Sequence, residues 1–297
     1  MLIPIPDVKS SARIITKDLR MGILVIESDK KLKSEVDLGD RALRIATWNI
    51  NGLRARKEFV EVWLKERQPD LVGFQELKMQ DVDFPHEFFE ELGYEAFVHG
   101  QKSWNGVAIL SKTGGKLIQK GLKGQDDFGA RLITVQVNDL EFTTCYCPNG
   151  KDIDHPDYIG KLDWYDSLIS ESKKSEQINR ILCGDFNIVA RPIDSWKGEK
   201  ATGEIFHTQE ERLRMKELKS TGIEDIYESK YKDEQMFTWW DYRGGSFHRK
   251  HGLRIDTILA TKDIAKRTKD LVIDRDFRKK KGDLTPSDHA PVYIDLE

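Results

Sequence analysis

The chain has 297 residues, 38% hydrophobic and 33% charged, with 22 glycines and 9 prolines, the balance of a soluble globular protein and not of a disordered or fibrous one. Its longest apolar run, Met21 to Ile26 counting one glycine, is far short of the roughly 20 residues a membrane-spanning helix requires, and Asp7, Lys9, Arg13, Lys17 and Asp18 break any secretory pattern, so a cytoplasmic location is expected. Forty-eight basic against 51 acidic residues leave a net charge of -3, so a polyanionic partner has to be met by local patches, while Cys145, Cys147 and Cys183 lack zinc spacing and read as small buried residues.

Residues 1–43 carry dense mixed charge with no helical period, and are expected to form a peripheral or disordered extension in which only Ile23 to Ile26 suggests a short strand. Leu43, Ile45, Ala46 and Trp48 then read as a strand, and Phe59, Val62 and Trp63 as the inner face of a helix ending before Pro69. Leu71 to Phe74 is strand-like. Arg131 to Val137 and Leu140 to Cys147 face each other across Asn138 and Asp139, the spacing of a tight hairpin. A helix starting near Pro156 is suggested by Ile159, Leu162, Leu168 and Ile169, a buried strand by Arg180 to Gly184, and a capping box by Thr208 with Glu211. Strands resume around Phe237, at Leu253 to Leu259, at Leu271 to Ile273 and at Val292 to Leu296. No repeat or linker divides these elements, which predicts one α/β domain over 44–297 with substantial antiparallel pairing.

Polar residues of a few kinds recur where these strands end: Asn49, Glu76, Tyr146, Asp185 with Asn187, Asp256, and Asp288 with His289. Singly, each has an ordinary explanation as a turn former or a solvated side chain. Together they would crowd carboxylates on one rim, and the repulsion calls for a divalent cation. Glu76, Asp185, Asp288 and amide carbonyls are the all-oxygen donors suited to Mg2+, with Mn2+ as the alternative. Such a rim suits hydrolysis of a phosphate ester, in which charge accumulates on the non-bridging oxygens.

Trp48-Asn49-Ile50-Asn51-Gly52-Leu53-Arg54-Ala55-Arg56, Gln75-Glu76-Leu77-Lys78, Tyr146-Cys147-Pro148-Asn149-Gly150, Gly184-Asp185-Phe186-Asn187, Gly252-Leu253-Arg254-Ile255-Asp256 and Pro286-Ser287-Asp288-His289-Ala290-Pro291 occur in the order of the motifs of the exonuclease III family of abasic-site endonucleases, which the chain resembles from Arg44 onward. The resemblance implies a four-layer sandwich of two packed mixed β-sheets flanked by helices. It also implies a magnesium-dependent nuclease that cleaves 5′ to abasic sites in duplex DNA, with 3′-5′ exonuclease and 3′-end-cleaning activity, acting as a monomer. The metal would be held by Glu76 with Asn49, Asp185, Asn187, Asp288 and His289 around it. Asp185 or His289 would act as base, Asn187 would position the water, Asp256 would polarise His289, and Tyr146 and Asn149 would contact the phosphate.

Arg54, Arg56, Lys78 and Arg254 are the expected DNA contacts beside the motifs, joined by the basic run Arg278 to Lys281. By the same resemblance Trp239 and Leu253 would line the pocket for a base-less sugar. A phosphoesterase of the same superfamily acting on inositol phosphates or phospholipid headgroups shares the acidic and histidine core and is the competing expectation. A binding module without catalysis would lack an acidic ligand, and none is missing.

Overall fold

A computed structural model describes residues 42–175 and 179–297. The extension expected over 1–43 therefore lies almost wholly outside the described residues. In chain order the strands are β1 (Leu43–Asn49), β2 (Leu71–Gln75), β3 (Glu95–His99), β4 (Val107–Ser111), β5 (Lys116–Lys120), β6 (Leu132–Val137), β7 (Leu140–Tyr146), β8 (Arg180–Asp185), β9 (Ile223–Asp225), β10 (Asp256–Thr261), β11 (Thr268–Ile273) and β12 (Val292–Leu296). The helices are α1 (Leu53–Arg67), α2 (His86–Glu91), α3 (Pro156–Ser172), α4 (Gln209–Lys219), α5 (Ile226–Lys230) and α6 (Lys262–Arg267).

Two six-stranded mixed sheets result, ordered β11-β12-β1-β2-β4-β3 and β5-β6-β7-β8-β10-β9. One parallel pair sits near the middle of each, β1 with β2 and β7 with β8. Strands covered on both faces read as continuous apolar runs, and β2 and β4 are buried along their whole length. Ile45, Leu71 and Ile109 of one sheet meet Ile133, Phe142, Ile181 and Ile258 of the other in a shared core. On the outer face of the first sheet, Trp48 and Phe74 pack against Phe59 and Trp63 of α1. Leu182 and Leu259 pack outward against Trp164, Leu168 and Met215 of α3 and α4. The layers are thus helix, sheet, sheet, helix, as the resemblance implied.

Two glycines mark close approaches, one between the sheets and one between neighbouring strands of the second sheet. A Cβ on Gly73 would lie 2.4 Å from Thr144 Oγ1, and one on Gly184, at φ 145°, would lie 1.9 Å from the Cys145 carbonyl oxygen. Gly184 immediately precedes Asp185, so the close approach of β8 to β7 also sets where that carboxylate emerges. Gly184→Ala is expected to cost at least about 3 kcal/mol, since the contact is with rigid backbone. A urea midpoint unchanged from wild type would show that β7 can yield.

Several expectations hold in detail. α1 stops at Arg67 with Gln68 left-handed before Pro69, Asn138 takes φ 53° in the two-residue hairpin turn, Pro156 opens α3, and the Thr208 and Glu211 capping box is reciprocal. All three cysteines are free and buried. Others differ. Ile159 is 60% exposed, because the inner stripe of α3 runs through Tyr158, Lys161, Leu162, Tyr165 and Leu168. The expected strand around Phe237 is only a set of isolated bridges linking Trp239 to Leu253 and to His289. β10 begins at Asp256 and not at Leu253, since Leu253 already bridges Trp239 and Ser195.

Candidate active site

The parallel pairs bring four strand ends to one rim. Asn49 is opposite Gln75 in register, so Glu76 leaves β2 beside it. Tyr146 is opposite Asp185, and Asp185 is opposite Asp256. Asp288 and His289 arrive just before β12, with Ser287 Oγ donating to the Asn49 carbonyl at 2.7 Å and Trp48 Nε1 donating to the His289 carbonyl at 3.1 Å.

Several residues of the rim have left-handed backbone. Asn51, Glu76, Lys78 and Asn187 all have φ near +50°. Asparagine tolerates that region, but Glu and Lys do so at a cost of about 1–2 kcal/mol each. The cost is offset by an interlocked backbone: Gly52 N donates to Glu76 O (2.7 Å), Leu77 N to Gly106 O (3.0 Å) and Lys78 N to Asn105 O (2.9 Å). The kink turns the Glu76 side chain toward the second sheet.

Asn49 Nδ2 donates to both Glu76 Oε1 and Asp185 Oδ2 at 2.9 Å, joining carboxylates of the two sheets. Its Oδ1 accepts from Asn51 N at 3.0 Å, so Asn49 ties the carboxylates of the two sheets to the turn that follows β1. Asp185 Oδ1 accepts from Asn187 N at 3.0 Å, and Asn187 Nδ2 donates to Cys147 O at 3.0 Å. Asp288 is held by Asn51 Nδ2 (2.8 Å) and Trp239 Nε1 (3.0 Å). His289 Nδ1 lies 2.8 Å from Asp256 Oδ2, and its Nε2 lies 3.8 Å from Asp185 Oδ2.

The electrostatics separate these groups. Burial works against a charged His289, but the adjacent Asp256, with Asp185 and Asp288 behind it, overcomes that and raises its pKa to about 10. Burial raises Asp185, and although His289 opposes this, the neighbouring Asp256 and Glu76 help leave it at about 7. Glu76 is also penalised by burial, yet Lys78 at 2.8 Å and Asn49 hold it below the usual carboxylate range. His289 and a hydrogen bond from Trp239 do the same for Asp288 against its burial. Burial and then the Glu76 and Asp185 charges push the Tyr146 hydroxyl well up, so it stays protonated as a donor. Arg131 lies over its ring at 4.8 Å.

Ligand atoms of Glu76, Asp185 and His289 lie within 4.8 Å of one another. Glu76 keeps partial exposure, Asp185 is buried and shares the Asn49 amide with it, and His289 is engaged at Nδ1 by Asp256. That set fits Mg2+, which keeps several waters and binds through one or two carboxylates together with phosphate oxygens. Protons then compete with the cation for Asp185. Metal affinity is expected to tighten about tenfold per unit as pH rises toward 7 and to level off above it, with one proton released per ion bound on the acid side. Calorimetry in buffers of different ionisation enthalpy reads that proton, and its absence at pH 6 would exclude Asp185 as the protonated ligand.

The expected DNA contacts fare unequally. Arg54 is exposed and pairs with Asp83 at 2.9 Å, and Lys78 is half-buried between Glu76 and Asn51. Arg56 ties the rim together through the Pro286 and Asn51 carbonyls and Tyr242. Arg254 is a correction. Its guanidinium is buried and forked onto Asp194 (2.9 Å) with a further bond to Asp225 (2.9 Å), so no donor faces a phosphate. Burying such a cation without those two carboxylates would be prohibitive, and its role is structural. Arg278 is likewise buried, donating to the Asp288 and Trp240 carbonyls. Trp239 and Leu253 do share an apolar cluster with Val189, Ile255 and Phe206. Trp104, 70% exposed on the loop that pins Leu77 and Lys78, was not foreseen. A lone tryptophan between Lys102, Ser103, Asn105 and Gly106 was the available signal.

Two packed sheets whose adjoining ends gather carboxylates, a charged histidine and a protonated tyrosine define a metal-dependent phosphoesterase. The chain matches the endonuclease/exonuclease/phosphatase family over residues 46–289 and belongs to it, on its exodeoxyribonuclease III branch. It is a nuclease. Exodeoxyribonuclease III of Haemophilus influenzae is 34% identical over 270 residues, covering 86% of this chain and all of that protein. Among solved structures, a Neisseria 3′ phosphatase bound to a product DNA hairpin is 33% identical with a TM-score of 0.83, covering 86% of this chain and all of that one. An AP endonuclease from Archaeoglobus fulgidus is 32% identical with a TM-score of 0.81, covering 86% and 99%.

Proposed function

We propose that this nuclease is magnesium-dependent and acts on duplex DNA, cleaving the phosphodiester 5′ to abasic sites and clearing nucleotides or blocking groups from 3′ ends. The observation that carries the reading is the division of labour at the rim: a carboxyl poised near neutrality, Asp185, stands 3.8 Å from a histidine kept charged by Asp256.

Glu76, with Asp185 beside it, would hold the cation, and the chemistry it would supply there is stabilisation of the negative charge that builds on the phosphate. His289 is already protonated, so it serves as a donor to the phosphate and not as the base. Asp185 can accept a proton from the attacking water, and the Asn187 N–H bond keeps Oδ1 fixed while Oδ2 faces His289. Tyr146, kept protonated, donates to the phosphoryl group as charge develops. Asn149, exposed after β7, is within the same loop and supplies a further contact. Lys78, paired with Glu76 at 2.8 Å, stands at the rim as a cation that can meet a phosphate of the DNA backbone.

The test is incision of a duplex with one tetrahydrofuran abasic analogue, beside a 3′-phosphorylated nick and an inositol phosphate, each with Mg2+ and with chelator. Cleavage of both DNAs only with metal, and none of the inositol phosphate, is expected. Preference for the inositol phosphate would sink the reading.

A further inference from the structure

Lys161 and Glu211 form an ion pair in which neither side chain has any exposure. Lys161 sits in the inner stripe of α3, in a place an apolar side chain would ordinarily take. All three donors of its ammonium are used: one goes to Glu211 Oε1, one to the Asn187 carbonyl at 2.7 Å and one to the Asn149 carbonyl at 3.3 Å. The Phe206 ring covers it at 4.9 Å. Glu211 is equally engaged, accepting from Thr208 N (3.0 Å), Thr208 Oγ1 (2.9 Å) and Phe206 N (3.2 Å). Gly150 leaves room for the lysine stem, since a Cβ there would lie 3.1 Å from Lys161 Cδ.

A pair this deep is not explained by stability. Desolvating two charges consumes most of what their attraction returns, and well-packed apolar residues of similar volume commonly serve as well or better. What an apolar pair cannot do is bind carbonyls, and these two carbonyls belong to the loops that follow β7 and β8, each carrying a group of the proposed site. The other ties between the two loops, Asn187 Nδ2 on the Cys147 carbonyl (3.0 Å), Cys147 N on the Asp185 carbonyl (2.9 Å) and the packing of Cys147 with Phe186, all lie at the roots of the loops, and none of them reaches Asn149.

We propose that Lys161, paired with Glu211, is a positioning residue that clamps the Asn149 and Asn187 loops together and so sets where their side chains stand against the scissile phosphate. The inference rests on the site reading above. The pair touches neither substrate nor cation and acts through the two asparagines. Interactions used mainly in the transition state appear in kcat, so the clamp should be visible there and not in KM.

The test replaces both partners at once in the full chain, Lys161→Met with Glu211→Gln, which avoids stranding one buried charge and keeps an amide oxygen for Thr208 in the capping box. On the tetrahydrofuran duplex with Mg2+, kcat is expected to fall about 10- to 100-fold, with KM within threefold and a cooperative melting transition retained. Adding the double replacement to Asn187→Ala should cost less than about threefold more, since both changes disable the same group. A kcat within threefold of wild type overturns the clamp, and so does a loss of folding, which would make the pair structural. If Asn149→Ala and Asn187→Ala alone keep the wild-type kcat, the site reading fails first and the clamp with it. If they are impaired while the pair replacement is silent, the clamp alone fails.

Discussion

Asp185→Asn is expected to lower turnover by about 10³-fold or more while DNA affinity stays within a few-fold, because the amide keeps the volume but cannot accept the proton of the attacking water. The substitution also has a consequence for stability with a definite sign. Burial, only partly offset by His289, lifts this carboxyl from 3.8 to about 7, so between those values the native state holds a proton that the unfolded chain has lost. Stability contributed by Asp185 therefore declines as pH rises through that window, and above pH 7 the buried charge is a standing cost. A neutral amide removes the cost. The variant should melt higher than wild type at pH 8 in chelator, with the gap closing toward pH 4. Enhanced stability with lost activity marks a residue placed for chemistry against the interest of the fold. Turnover reduced less than tenfold, measured at saturating enzyme in a single turnover, would remove Asp185 from the base role, and a parallel drop in affinity measured by anisotropy would make it a binding group.

Much of the rim was legible in the sequence because strand ends are written in short-range patterns. Apolar runs stop at Asn49, Gln75, Tyr146 and Asp185, and the polar residue that follows each run marks where a side chain can meet a ligand. Local signals also carried the capping box at Thr208 and the turn at Asn138, which depend only on neighbouring residues. What the sequence hid depends on long-range partners. Arg254 stands between Leu253 and Ile255 in a motif and was read as a DNA contact, yet Asp194 and Asp225, 60 and 29 residues away, take it into the interior. Lys161 could be read only as the polar face of α3, and the exposed Ile159 as its inner face, because the stripe that is buried is fixed by two loops and α4 and not by hydropathy. Strands β3, β4, β5 and β9 are not among the expected elements: β3, β5 and β9 are short edge strands, β5 being largely exposed, and β4 is a buried run of five residues, too short for periodicity to tell a strand from a helix.

Asp256→Asn probes the other half of the division of labour. Asp256 heads β10 opposite Asp185 and meets His289 Nδ1 at 2.8 Å, so the amide can keep the imidazole in place through the same contact. It cannot keep it charged. Burial alone drives His289 down from its usual 6.5, and with Asp256 neutral the pKa of about 10 has lost the first of the groups that raised it. Above neutrality the ring then sheds the proton that Nε2 is proposed to direct at the phosphate. Loss of one such donor commonly costs about 10²- to 10³-fold in turnover. The deficit should therefore grow with pH, in a variant whose rate falls away on the alkaline side where wild type remains flat until near pH 10. Lowering the pH restores the imidazolium but protonates Asp185, whose own requirement lies in the opposite direction, so no pH recovers the wild-type rate. The profile narrows to a low bell. A deficit that is constant from pH 6 to 9 would mean that Asp256 only orients the ring, and that the charge on His289 is not what the phosphate needs.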